Sequence, residues 1–105
     1  MDRIATFKKF AEQRPDDPFP LYSLAMEYRS QENFAEAQQI FDQLRDSFGD
    51  YLPAYFHAGA NLIALDRKPD AAERYKQGLQ VAGKAGDGHA RDELQQALAT
   101  LEGTA

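Results

Sequence analysis

The sequence predicts an all-α fold of stacked helical hairpins, a short solenoid of about six helices. Three observations carry that prediction. Phe7, Phe41 and Tyr75 recur at one constant interval, and a fixed period of this size marks one supersecondary unit stacked on copies of itself. Apolar residues follow a helical spacing, as in Leu21, Leu24 and Tyr28 at i, i+3 and i+7, with no alternating runs of the kind a half-buried strand needs. Proline and glycine then punctuate the helical stretches at the places where turns belong.

The elements follow in order. A first helix is expected over 2–14, ended by Pro15 and Pro18, which bracket Asp16-Asp17 in turn and cap roles. Helices over 19–31 and 34–48 come next, and Gly49-Asp50 interrupts the chain after them. Pro53 opens a helix over 53–65 and Pro69 one over 69–82, since a first-turn proline loses no helical hydrogen bond. Gly83, Gly86 and Gly88 mark the last loop, and a helix over 88–102 follows with Asp87 as its cap.

Shifted by the aromatic interval, the middle of the chain aligns with itself in size and polarity. Leu21 meets Tyr55, Tyr22 meets Phe56, Leu24 meets Ala58, Ala25 meets Gly59, Tyr28 meets Leu62 and Ala37 meets Ala71. Packing selects size, so large residues facing large and small facing small is the pattern of two similar hairpins. Ala25 with Ala37, and Gly59 with Ala71, are small enough for two helices to approach closely near their turn. A glycine within a helix costs about 1 kcal/mol against alanine, which close packing at Gly59 would repay. Leu21, Leu24, Tyr28, Phe41 and Leu62 read as core.

A chain of 105 residues makes one small domain. With no cysteine it has neither disulfides nor thiolate metal sites, so packing alone must hold it. A net charge of −5 argues against nucleic acid and anionic membranes as partners. Arg3, Lys8, Lys9 and Arg14 read as a solvated helix face. Met1-Asp2-Arg3 lacks the apolar stretch of a secretory signal, and no run is long enough to span a bilayer, so a cytoplasmic location is the default expectation.

These residues resemble tetratricopeptide repeats. Leu21-x-x-Leu24-Ala25-x-x-Tyr28 followed by Ala37-x-x-x-Phe41 is similar to one copy of the family pattern. Tyr55-x-x-Ala58-Gly59-x-x-Leu62 followed by Ala71-x-x-x-Tyr75 is similar to a second. Asn33-Phe34-Ala35-Glu36-Ala37 resembles the family's turn into its second helix, and Phe7 with Pro15-Asp16-Asp17 looks like the tail of an earlier copy. The resemblance implies a half repeat over 2–17, full repeats over 18–51 and 52–85, and a capping helix over 88–102. No tryptophan fills the family's aromatic position, and Gly49 and Gly83 stand where its closing proline would.

The inner helices carry a second apolar stripe. Phe19, Tyr22, Met26 and Arg29 recur at i, i+3, i+7 and i+10, and Phe56, Ala60 and Ile63 hold the equivalent places. A helix apolar on two faces needs two covers. In tetratricopeptide proteins the second face lines a concave groove for a peptide or helix, so the resemblance implies a groove of Phe19, Tyr22, Met26, Arg29, Phe56, His57, Ala60 and Ile63, with Asn61 nearby. Such a surface suits an apolar or amphipathic segment, and Arg29 a partner carboxylate. Tyr22 and Met26 are assigned to partner contact ahead of core; for Phe56 and Ile63 the two readings stay level, because the first or last helix could cover the stripe. The family's clamp for acidic chaperone tails needs lysine and asparagine where Tyr22, Met26 and His57 stand, so that specificity is not expected.

No catalytic, metal or cofactor residues are assigned. His57 and His89 lack a second ligand at metal spacing on the same helix, and there is no nucleophile elbow, phosphate-binding loop or cysteine nucleophile. The expected function is protein–protein interaction, as an adaptor or scaffold binding a peptide or helix. The alternative is self-association through the same apolar face, as a homodimer or an end-to-end stack. A closed pocket joining His57 to an acidic side chain would revive a small-ligand or enzymatic reading.

Overall fold

The computed structural model describes residues 2–103. Six helices run in order: α1 (Arg3–Gln13), α2 (Pro18–Ser30), α3 (Phe34–Ser47), α4 (Pro53–Ala64), α5 (Lys68–Ala85) and α6 (Gly88–Gly103). There is no strand among the described residues. Three helix starts are capped by aspartates. Asp2 accepts from the Ile4 amide at 3.1 Å, Asp17 from the Phe19 amide at 3.0 Å, and Asp87 from the Ala90 amide at 3.0 Å. Pro18, Pro53 and Pro69 occupy first-turn positions. The expected last loop is shorter than its three glycines suggest. Gly83 lies inside α5, which continues to Ala85, and the chain turns at Gly86 with φ +68°. A glycine in a helix is tolerated when neighbouring turns hold it, and only Gly86 needs the left-handed backbone.

Both hairpin turns close in the same way. Asn33 donates to Tyr28 and Glu32 to Arg29; in the second hairpin Arg67 donates to Leu62 and Asp66 to Ile63. These paired bonds satisfy carbonyls that a helix end leaves free, and they require a left-handed residue after the last turn. Glu32 (φ 61°) and Asp66 (φ 60°) fill that role, although neither is the glycine it favours.

The helices form two layers in a body of 41 × 30 × 20 Å, since the short dimension matches about two helix diameters. Each helix packs on its neighbours in sequence. The backbones of α2 and α4 also come together, as do those of α4 and α6, whereas those of α3 and α5 do not. A stack more closely spaced on one side curves toward that side, so α2, α4 and α6 line the concave surface.

Two apolar clusters make the core. One gathers Ala25, Ala37, Phe41, Leu44, Ala54 and Ala58, with Leu21, Tyr22, Met26 and Tyr28 packed against it. The other gathers Tyr55, Leu62, Ala71, Tyr75, Ala82, Leu94 and Leu101. Phe41 is 1% exposed and Tyr75 2%, so those two rings are equivalent wedges. Phe7 is not their equal: it is only half-buried, and α1 has no fully buried residue, because among the described residues no helix packs on its outer side. Leu21 and Tyr28 are likewise half-buried rather than enclosed.

Small residues set the helix spacing, and at Gly59 the nearest neighbour is the Tyr75 ring, one turn beyond Ala71 on α5. A Cβ there would lie 2.6 Å from Tyr75 Cζ and nearer still to Cε1, so the ring itself occupies the space. At Gly78 a Cβ would lie 2.7 Å from Tyr55 Cβ and 3.1 Å from Leu94 Cδ1. Polar groups cross the same interior. Asn61, fully buried, donates to Phe34 O and to Gln38 Oε1, both at 2.9 Å. Gln38 donates to Asp42 at 3.1 Å, and Arg74 donates to the same carboxylate at 2.7 Å. This chain of bonds ties α3, α4 and α5 together. Burial raises the Asp42 carboxyl, but the hydrogen bonds from Arg74 and Gln38 and the charges of Arg74 and Arg45 outweigh it and hold it below its usual range.

Candidate functional site: the concave face

The second stripe comes to lie where α2 and α4 run side by side. Tyr22 reaches across to α4, its ring 5.9 Å from the His57 imidazole and 5.5 Å, edge-on, from Tyr51. His57 in turn meets Phe56 edge-on at 5.3 Å, and Phe56 lies 6.3 Å from Tyr75. The result is a continuous aromatic ribbon crossing the concave face. Edge-on contacts of this kind add favourable quadrupole terms to the burial of the rings.

The eight groove residues expected from the sequence divide by exposure. Tyr22, Met26, Arg29, Phe56, His57 and Ala60 are half-buried. Phe19 is 59% exposed and Ile63 37%, which makes them two of the large apolar side chains left open to solvent. Phe19 stands in the first turn of α2 and Ile63 in the last turn of α4, at opposite ends of the surface. Asn61 is not near the groove. It turns inward to α3, because its place on α4 beside Ala58 and Leu62 belongs to the buried face.

Neither terminal helix closes over Tyr22 or Met26. α1 rests on the far flank of α2, where Arg3 meets Glu27 at 3.3 Å and the Lys8 ammonium stands 6.0 Å from the centre of the Tyr28 ring. The apolar face of α6 rests on α5 and the edge of α4: Leu94 and Leu101 are buried in the C-terminal cluster, with Ala90, Ala97 and Leu98 packed against it. Arg91, Asp92, Glu93, Gln95 and Gln96 face solvent, so that end of the array is polar.

Electrostatics on this face centre on His57. Burial lowers its pKa, the nearby Arg29 charge lowers it further, and Glu93 opposes both. The imidazole is therefore neutral near pH 7. Burial also raises the Tyr22 phenol, helped by Tyr51. The Arg29 guanidinium donates no hydrogen bond to another described residue, and its charge is felt at both His57 and Tyr75.

A cleft of about 340 Å³ continues the face between α4 and α6. Its floor is Leu52, Phe56, Ala90 and Leu94, and its rim is His57, His89, Asp87 and Glu93. This is the open counterpart of the closed His57 pocket considered from sequence, since His89 is 87% and Glu93 53% exposed. Among the described residues no group of histidines and carboxylates is placed to hold a metal. Sequence reasoning missed this cleft. The only signal was the apolar face of α6, which had to rest on something, and the sequence alone did not reveal that it would leave a gap beside Phe56.

Comparison with known structures agrees with the fold. A solution structure of a tetratricopeptide repeat domain protein from Salinibacter ruber is 37% identical to this chain, covers 87% of it and 92% of its own length, and has a TM-score of 0.82. A crystal structure of a tetratricopeptide repeat domain protein from the same organism is also 37% identical, over 85% of this chain and 100% of its own, with a TM-score of 0.80. A solution structure of a protein from Bordetella parapertussis is 22% identical over 97% of this chain and 89% of its own, with a TM-score of 0.82, a likeness of fold. No protein-family model and no curated protein matches the chain.

Proposed function

Because this chain belongs to the tetratricopeptide repeat family, we propose that it is a protein-interaction module that holds a peptide or helix of a partner protein against its concave face. The observation that carries this reading is the aromatic ribbon from Tyr51 through Tyr22 and His57 to Phe56, half open to solvent and uncovered by α1 or α6 over Tyr22 and Met26. Exposed apolar surface that forms one continuous patch is where a soluble partner gains most by docking. Phe19 and Ile63 extend the patch at its two ends, and Arg29 offers an uncommitted cation to a partner carboxylate. The reading is of a binding scaffold in the cytoplasm, without chemistry of its own.

The test compares capture of proteins from a native extract by the intact chain and by a Phe19→Ser, Tyr22→Ala, Ile63→Ser variant. Captured proteins should be lost from the variant while its far-ultraviolet circular dichroism is unchanged. Equal capture by both would reject the concave face as the site. A solution mass that doubles with concentration, and returns to the monomer in the variant, would give the same face to a second copy.

A further inference from the structure

We infer that the cleft between α4 and α6 receives an arginine or lysine of the partner segment, flanked by a large apolar residue. The inference rests on the concave-face reading and specifies one end of it. The volume of about 340 Å³ is enough for roughly one or two large side chains, and its floor of Leu52, Phe56 and Leu94 suits an aliphatic stem. Its charged rim is made of Asp87 and Glu93, and no lysine or arginine lines it. His57 and His89 complete the rim, with His57 held neutral by burial and by Arg29.

The two carboxylates are not spent on other cations of the chain. Asp87 uses one oxygen to cap α6 at the Ala90 amide, and the residue is exposed to solvent. Glu93 makes one ion pair, with His89 at 3.6 Å, and its charge is also felt at His57. The starts of α4 and α6 add about half a positive charge each at most, and Asp87 already answers that of α6; Arg29 acts on the His57 side of the rim, so the Asp87 and Glu93 side is the negative one. A long basic side chain satisfies both demands at once, with its stem on the apolar floor and its head at the acidic rim. A second copy of this chain is a poorer occupant, because it also carries a net charge of −5.

The test uses a randomised dodecapeptide library displayed on phage and panned on the intact chain. Selected peptides are then synthesised and mapped by amide chemical shifts. The expected peptides carry arginine or lysine next to a large apolar residue and shift Phe56, His57, Ala90 and Leu94. Replacing that arginine by citrulline, or the protein's Asp87 by Asn together with Glu93→Gln, should weaken binding about fivefold or more. Asparagine still caps the helix, so Asp87→Asn removes the charge and keeps α6 in place. Selected peptides without a basic residue, no enrichment over an unrelated protein, or affinity indifferent to both charge removals would overturn the inference. Peptides that shift Tyr22 and Met26 yet lack a basic residue would overturn it alone. Peptides that shift only α3 and α5 would overturn the concave-face reading with it.

Discussion

At the level of single residues, function and stability meet on two residues of α4. Gly59 gives up its side chain to the Tyr75 ring. Gly59→Ala should lower stability by a net amount of about 1–3 kcal/mol in denaturant titration, because overpacking against a buried ring outweighs the alanine's better helix propensity. Tyr75→Leu in the same chain should recover part of that loss, and a double-mutant cycle would show the coupling. An unchanged midpoint for Gly59→Ala would mean the ring is free to move. His57 acts through charge. Its folded pKa lies below the usual histidine value, so the unfolded chain binds the proton first. Its contribution is whole above about pH 6.5 and is lost as the pH falls through the lowered folded value. Melting temperature should therefore drop between pH 7 and 5, and His57→Phe should flatten that part of the profile.

Helices and turns show what could be read from residue types and what could not. Caps, first-turn prolines and the 3.6-residue stripes announced all six helices, because each signal is local in the chain. The Ala25/Ala37/Phe41 packing also followed from size alone. Asn61 did not, since its side-chain NH2 donates to Phe34 and Gln38 in another helix, and only the register of α4 on α3 decides that. Groove residues were legible as a stripe; the cleft beside Phe56 was not, because it depends on where α6 comes to rest. The left-handed turns were invisible too, as Glu32 carries no conformational signature and Asp66 only the weak left-handed tendency of aspartate. An L-residue pays about 1–2 kcal/mol there that glycine does not, against a glycine entropy loss of about 0.5–1 kcal/mol. Glu32→Gly and Asp66→Gly should each raise stability by up to about 1 kcal/mol in chemical denaturation; a loss at either would show that the native side chain compensates.

Across the whole molecule, contacts run mainly from each helix to the next, and α4 contributes to both clusters. Stability in such a stack is a sum over neighbours, so damage stays near its source. Phe41→Leu, costing about 1–3 kcal/mol, should lower amide hydrogen-exchange protection more in α2 and α3 than in α5 and α6. A uniform loss would instead reveal one cooperative unit. The chain of bonds from Asn61 through Gln38 and Asp42 to Arg74 is the main polar tie between those halves. The paired fit of Gly59 with Tyr75, beside Ala25 with Phe41, has a further meaning for how such a chain can be rebuilt. The hairpins are cousins rather than interchangeable bricks. A recombined array that took its inner helix from the first and its outer helix from the second would set an alanine methyl into a tyrosine ring. Any shuffling that respects this fold must therefore carry both members of each couple as one cassette.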